Sequence, residues 1–317
     1  MEINEISYYP MKMQPVYKDY IWGGQRLRNL NKISESARIA ESWEISCNEA
    51  GLTTVANGIY AGKTLKSVVE LSWEDFLGER YHRDSGFPLI LKFIDAQKDL
   101  SVQVHPSEQT ADVSKGEFCK SELWYIIDCE PDSYIYYGLK NDISKEEFLR
   151  RAQEKTICEV LNKIEVKKGE AYYIPAGVIH ALGHGILVAE IQQNSNTTFR
   201  IYDYDRRDSL GNLRELHVER AKDVVCLEKM EPDVNLKENF TAFECDYFKV
   251  KKEIINGRKV FENLEKKFSV VQIIFGKGKI ESEDFVSDCE VGDTFFIPAK
   301  LKKYTISGKC ELLITQV

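Results

Sequence analysis

The sequence predicts a mainly β fold, two jelly-roll β-barrels of related architecture with helices inserted beside them. Three observations carry this expectation. Short apolar or alternating runs recur along the chain with turn residues between them, the pattern of a barrel or sandwich. The segment Leu100-Ser-Val-Gln-Val-His-Pro106 alternates strictly, so Leu100, Val102 and Val104 face a core while Ser101, Gln103 and His105 line the other side. An internal repeat relates residues 166–177 (VKKGEAYYIPAG) to residues 290–300 (EVGDTFFIPAK), and both run Gly, acid, small residue, two aromatics, Ile, Pro, Ala.

The elements follow in order. Residues 1 to about 30 read as irregular, with Pro10, Pro15 and a turn at Trp22-Gly23-Gly24. Residues 36–60 read as short strands broken by turns. Residues 64–77 read as helical, and Ser72 with Asp75 gives an N-cap signal for a second short helix. Residues 88–96 (PLILKFIDA) form a nearly continuous apolar strand interrupted by Lys92, which either snorkels at a strand end or points into a site. Residues 114–128 lead from a loop into another strand, and 134–137 form a further one. Ser144 with Glu147 is a capping box opening a helix to about Glu154, and Thr156 with Glu159 repeats the signal. Strands resume at Lys163 and continue past Asp203, 215–225 reads as a helix, and short alternating strands return from about 240. The expected division is a larger domain, 1–235, with helical insertions at about 64–80 and 144–162, and a smaller β domain, 236–317.

Composition narrows the function classes. The chain has 317 residues, 43% hydrophobic and 30% charged, with a net charge of -8. That balance argues against nucleic acid as a partner, because a phosphate backbone needs a basic face. An anionic small substrate would need local Lys and Arg. No apolar run approaches the length of a membrane span, and the start, MEINEISYYP, lacks the basic residues and apolar stretch of a signal peptide. The expected setting is cytoplasmic, with no membrane partner. Eight scattered cysteines without a C-x-x-C pair read as free thiols in a reducing compartment.

The candidate chemistry sits around two histidines. Gly169, Pro175, Gly177 and His180 fit the second cupin motif: Gly, five residues, Pro, one residue, Gly, two residues, His. The first cupin motif usually begins His-x-His, and Gln103 and His105 occupy that pair here. Glu122 supplies the acidic residue that should follow, and alternation puts it on one face with Lys120 while Leu123 turns away. Each residue alone has a plain alternative: His105 a structural imidazole, Gln103 a surface amide, Glu122 a solvated charge. The joint pattern favours a ligand set of Gln103, His105, Glu122 and His180, which suits a divalent first-row metal, zinc before others, one ion per chain. His184 lies near enough in sequence to support a ligand, whereas His82 and His217 lack such a context. In the second copy of the repeat Lys300 replaces the glycine and Lys303 stands where the histidine would be, so the smaller domain is expected to bind no metal there.

These stretches resemble the type I mannose-6-phosphate isomerases in their short bacterial form. The likeness runs through WGG at 22–24, ESWEIS at 41–46, PLILKFIDA at 88–96, LSVQVHP at 100–106, KSELWYIID at 120–128, YIPAGVIHALG at 173–183 and EIQQNSNTTFRIYDYDR at 190–206. It implies a zinc-dependent aldose–ketose isomerase of the cupin superfamily that interconverts mannose 6-phosphate and fructose 6-phosphate, with the four ligands just given. It further implies Arg200 as the active-site arginine, Ser101, Lys92 and Lys120 in substrate binding, and Glu190 as a proton-handling candidate. By alternation Thr198, Arg200, Tyr202 and Tyr204 share a strand face, and Asp203, Asp205, Arg206 and Arg207 read as a salt-bridged run. The expected partner is a sugar phosphate, with the chain a monomer or weak homodimer. An iron or manganese oxygenase or decarboxylase would show three histidines and a glutamate, where this chain has Gln103. A non-catalytic sugar-binding regulator would carry a helix-turn-helix or basic segment, and none is apparent.

Overall fold

Three antiparallel sheets organise the residues described in the computed structural model, namely 6–81, 83–207, 210–233, 236 and 240–317. The strands of the first part are β1 (Met11–Gln14), β2 (Val16–Lys18), β3 (Glu41–Ile45), β4 (Thr54–Val55), β5 (Leu89–Ala96), β6 (Val102–Val104), β7 (Glu122–Cys129), β8 (Tyr134–Leu139), β9 (Leu161–Glu165), β10 (Ala171–Ile174), β11 (His180–Leu182), β12 (Ile186–Gln193) and β13 (Phe199–Tyr202). Those of the second part are β14 (Ala242–Glu244), β15 (Lys249–Glu262), β16 (Ser269–Ser282), β17 (Phe285–Glu290), β18 (Thr294–Ile297) and β19 (Lys303–Gln316). The helices are α1 (Leu65–Val69), α2 (Trp73–Leu77), α3 (Lys145–Gln153) and α4 (Val218–Ala221).

The site lies between two sheets packed face to face. One runs β10-β7-β12-β5-β3-β2 and the other β13-β6-β11-β8-β9. Ile94, Trp124, Ile126 and Val188 of the first meet Ile135, Tyr137 and Leu182 of the second in one apolar cluster. This is the expected jelly-roll arrangement, with two sheets pressed together rather than one ladder closed on itself among the described strands. The opposite face of the six-stranded sheet, including Leu91, Phe93, Leu123 and Ile191, packs on Phe76 of α2, on Phe268 just before β16, and on Val270 and Phe296 of the third sheet. Burial on both faces explains why β5 reads as an apolar run instead of alternating. The outer face of the five-stranded sheet covers Val102, Val104 and Phe199 with Phe148 of α3 and Ala221 of α4.

The third sheet runs β14-β15-β19-β16-β18-β1-β4, with β17 on β16. Its β1 departs from expectation, since residues 1 to about 30 read as irregular; residues 1–5 lie outside the described residues. Met11 and Met13 are buried and alternate with Lys12 and Gln14, a period-2 signal hidden between Pro10 and Pro15. Met11 pairs with Phe296 of β18, so the N-terminal segment stitches the first part to the last. The two copies of the repeat place β10 and β18 as equivalent strands, and Lys303 lies exposed at the start of β19.

Apart from α3, which runs as its capping box indicates, the helices are shorter than their signals suggested. Residues 64–77 divide into α1, where Thr64 Oγ1 accepts from the Ser67 N–H at 3.1 Å, and α2. Ser144 Oγ caps α3 by accepting from the Glu147 N–H at 3.1 Å. The signal at Thr156 yields a single 3-10 turn, Ile157–Val160. The helix expected over 215–225 shrinks to α4, because the backbone before it is taken up by β13: the His217 N–H donates to the Arg200 carbonyl at 2.7 Å. Among the described residues no helix is long and apolar enough to cross a membrane.

Candidate metal centre and active site

Strand alternation sends Gln103 and His105 of the β6 segment inward, and antiparallel pairing sets His180 of β11 directly opposite Gln103. His180 arrives there through the Pro175–Gly177 turn. Gly177 adopts a φ of +86°, which a side chain would strain, and its N–H donates to the His105 carbonyl at 2.8 Å. The turn that delivers one histidine is thereby tied to the other. Glu122 enters from β7 in the facing sheet.

The ligand atoms of His105, Glu122 and His180 all lie within 4.8 Å of one another, and the three residues are buried. His105 Nε2 is 2.6 Å and His180 Nε2 3.8 Å from Glu122 Oε1. The opposite ring nitrogens fix the tautomers. His105 Nδ1 is 2.8 Å from the Thr197 carbonyl and His180 Nδ1 is 2.8 Å from the Val178 carbonyl. A carbonyl can only accept, so each Nδ1 carries the proton and each Nε2 turns a lone pair toward the carboxylate. Glu122 Oε1 is buried without a hydrogen-bond donor of proper geometry, although Lys120 Nζ stands 2.9 Å away at ion-pair distance. Two imidazole lone pairs facing an orphaned carboxylate oxygen is the donor set of a divalent cation site. The Gln103 amide lies beside this set, with Nε2 3.4 Å from His180 Nε2 and Oε1 3.4 Å from Ser101 Oγ, so its oxygen faces the set once the amide is flipped.

The charges agree with this geometry. Burial, then the Lys120 ammonium, pushes His105 down to about 3 against the pull of Glu122, so the imidazole is neutral. Burial likewise lowers His180. Burial alone would raise Glu122, but the adjacent Lys120 ammonium outweighs it and holds the carboxyl well below its ordinary range.

Above the cluster opens a cavity of about 310 Å³, lined among others by Lys92, Ser101, Gln103, Lys120, Glu190 and Arg200. Six residues singled out from the sequence therefore meet at one surface. Lys92 points into the site. Its Nζ lies 2.9 Å from Glu190 Oε1 and 3.7 Å from Glu41 Oε2. Burial alone would lower it, yet those two carboxylates raise it above its usual value. Glu190 is lifted to about 7 by burial and by the Glu122 carboxylate, against the pull of Lys92 and Lys120. Both partners of this pair are thus raised. For Glu190 burial beside a second carboxylate is the stronger influence. Arg200 donates from Nε to Ser101 Oγ at 3.3 Å and from Nη1 to the Glu215 carbonyl at 2.7 Å.

Other expectations change. Thr198 and Arg200 face this cavity, but an irregularity in the β13–β6 register between Arg200 and Tyr202 breaks the alternation. Tyr202 instead lines a separate cavity of about 560 Å³ beside α3 and α4, which holds none of the ligand set. Tyr204 leaves the strand at a φ of +57°. His184 bonds to Asp99, Nδ1 to Oδ1 at 3.3 Å, rather than to a ligand. His217 lies beside Arg200, whose backbone N–H is 3.2 Å from its Nδ1, and His82 lies outside the described residues.

Several residues in and around this site were not singled out from the sequence. Trp124 donates one indole N–H toward Glu122 Oε2 at 2.9 Å and Glu190 Oε2 at 3.0 Å, joining the ligand set to the carboxylate above it. Its signal was alternation, two positions after Glu122 on the same face. Glu41 and Trp43 share an inward face of β3 in the same way, and the Trp43 indole donates to Glu41 Oε2 at 2.6 Å. Tyr20, Asn196 and Arg214 come from loops and carry no periodic signal.

Fold and site together define a cupin with a buried His–Glu–His cluster under a cation-lined cavity. Residues 11–135 match the family described as phosphomannose isomerase type I, catalytic domain, and residues 238–317 match the mannose-6-phosphate isomerase cupin domain. The probable mannose-6-phosphate isomerase GmuF of Bacillus subtilis (strain 168) is 37% identical, over 97% of this chain and 99% of its own. Mannose-6-phosphate isomerase ManA of the same organism is 35% identical over the same shares. The crystal structure of the mannose 6-phosphate isomerase from Bacillus subtilis superposes with a TM-score of 0.88 at 35% identity, covering 97% of this chain and 99% of that one. The chain belongs to the type I mannose-6-phosphate isomerase family, a family of aldose–ketose isomerases.

Proposed function

We propose that this chain interconverts mannose 6-phosphate and fructose 6-phosphate, using one zinc ion held by His105, Glu122, His180 and the amide oxygen of Gln103. The observation that carries the reading is the pair of Nε2 lone pairs aimed at an orphaned Glu122 oxygen beneath a cation-lined cavity. Two imidazoles, a carboxylate and an amide suit zinc among the first-row metals.

The isomerisation moves a proton between C1 and C2 of the open-chain sugar through an enediol whose oxygens carry developing negative charge. When bound, the metal supplies Lewis-acid polarisation of the carbonyl and hydroxyl oxygens. Glu190 handles the proton. Raised to about 7, its carboxylate accepts at neutral pH without being too weak an acid to return the proton. Lys92 holds Oε1 and the Trp124 indole steadies Oε2, so the group is oriented before substrate arrives. Arg200, anchored by Ser101 and the Glu215 carbonyl, presents a permanent cation to the enediolate oxygens. Lys120 adds positive charge at the cavity floor and, after burial, helps keep the histidines neutral. Ser101 orders the polar row from Gln103 to Arg200.

The same reading takes residues 1–235 as the catalytic unit and 236–317 as a metal-free partner domain, with the chain a cytoplasmic monomer or weak homodimer. Eight unpaired cysteines suit a reducing compartment. A coupled assay of mannose 6-phosphate conversion, on protein whose metal content has been measured, tests the proposal. Zinc near one ion per chain with turnover supports it, and metal-loaded protein without turnover sinks it.

A further inference from the structure

We infer that Arg214 receives the phosphate of the substrate, at the end of the cavity beyond Arg200, and that Arg200 is left to face the carbons that react. The inference rests on the sugar-phosphate reading above and divides the work between two guanidiniums.

The four cations lining the cavity are not equivalent. Lys92 is faced by Glu190 and Glu41, and Lys120 by Glu122. Arg200 has no carboxylate at ion-pair distance among the described residues; its side chain donates to a hydroxyl and a carbonyl. Arg214 reaches one carboxylate oxygen, Asp203 Oδ1 at 3.4 Å, and that oxygen is already held more closely by Arg206. Two guanidiniums therefore face one cavity with little negative charge to balance them. Arg200 registers the crowding, since burial first and Arg214 next hold it below its ordinary value. A weakly compensated pair of planar forks is a receptor for a dianion with several acceptor oxygens.

Position separates their roles. The β13–β6 register sets Arg200 opposite Gln103, and Ser101 Oγ lies 3.4 Å from Gln103 Oε1 and 3.3 Å from Arg200 Nε. Arg200 therefore adjoins the ligand set. Arg214 lies farther along, in the wall that this cavity shares with the larger one beside α3 and α4. An open-chain hexose 6-phosphate carries its reacting carbons at one end and its phosphate at the other. With C1 and C2 over the ligand set, the phosphate reaches past Arg200 to Arg214, where it displaces a 3.4 Å contact that is easily given up.

The test compares Arg214→Gln and Arg214→Lys with the unaltered chain, each with its metal content measured. One readout is the split between KM and kcat on mannose 6-phosphate; the other is calorimetric binding of inorganic phosphate. In Arg214→Gln, KM and the phosphate dissociation constant should both rise roughly tenfold to a hundredfold, the loss expected for a hydrogen-bonded ion contact, with kcat less affected. Arg214→Lys should recover part of both. Phosphate affinity within about twofold of the unaltered chain, no phosphate binding by the unaltered chain, or a fall in kcat at constant KM would each overturn the assignment. A chain that binds phosphate through Arg214 but does not isomerise mannose 6-phosphate would defeat the isomerase reading alone.

Discussion

Lys92 and Glu190 face each other on the paired strands β5 and β12, with Nζ 2.9 Å from Oε1 and both side chains buried. Removing Glu190 leaves Lys92 with only the more distant Glu41, and removing Lys92 leaves Glu190 buried beside Glu122. Glu190→Gln keeps the shape and deletes the proton carrier, so kcat should fall roughly a hundredfold or more, the usual worth of a positioned acid–base group. Metal content should not change. A variant that keeps its turnover would remove Glu190 from the chemistry.

The same pair sets a pH dependence with a definite sign. Lys92 pulls the Glu190 carboxyl down against burial and Glu122. Lys92→Met removes that pull, so Glu190 should titrate higher and the acidic limb of the kcat/KM profile should move to higher pH. An acidic limb that stays put, or moves to lower pH, contradicts this account of what tunes Glu190.

Chelation tests the cluster itself. His105 and His180 are neutral and Glu122 is charged, so a bound dication adds to Lys120 in offsetting a buried carboxylate. A ligand present at about a thousand times its dissociation constant stabilises by about 4 kcal/mol. Chelator treatment should therefore lower both the melting temperature and activity, and added zinc should restore both. His180→Ala should bind no zinc and gain nothing from it in a melt. Full activity after exhaustive metal removal would end the zinc proposal.

Arg200→Ala separates chemistry from structure at the next position. The guanidinium is tethered by Ser101 and Glu215, outside the ligand set. Turnover should drop by roughly a hundredfold, as for loss of a donor to a developing oxyanion, while zinc content stays normal. Loss of zinc in that variant would make Arg200 a support for the ligands instead.

Much of this site was legible in the sequence because strands write their facing in alternate letters. Ser101, Gln103 and His105 share a face by period alone, and Lys120 with Glu122 does the same at the start of β7 in the facing sheet. The spacing from Gly169 to His180 encoded a turn that aims a ligand, and Gly177 performs it. What escaped was nonlocal or irregular. Arg214, Tyr20 and Asn196 are brought in by loops. A register slip after Arg200 turns Tyr202 away from the face that counting assigned to it. In β1 the alternation spans only Met11 to Gln14, too short to stand out between two prolines.

Strand β3 shows how one short segment serves two purposes, and it yields a prediction independent of the active site. Glu41 and Trp43 turn toward the cavity, while Ser42 and Glu44 take the opposite side. Glu44 is fully buried. Its Oε2 is 2.8 Å from Lys32 Nζ and accepts from Thr294 Oγ1 of β18 at 2.9 Å, and its Oε1 accepts from Ser42 Oγ at 2.5 Å. Lys32 also donates to the Gly292 carbonyl at 2.5 Å. This network joins the jelly roll to the third sheet. Glu44→Ala strands the Lys32 ammonium in the interior and should destabilise the fold by about 3–5 kcal/mol, read as a lower denaturant midpoint. Thr294→Val removes one neutral donor to a charged acceptor and should cost about 1.5–3 kcal/mol. Lys32→Met combined with Glu44→Leu removes both charges together, so it should recover most of the loss seen with Glu44→Ala, because desolvating a buried pair consumes much of its attraction. In every variant the folded fraction should keep its KM, since none of these side chains lines the cavity. A double variant as unstable as Glu44→Ala would mean that packing shape, not charge balance, holds this junction.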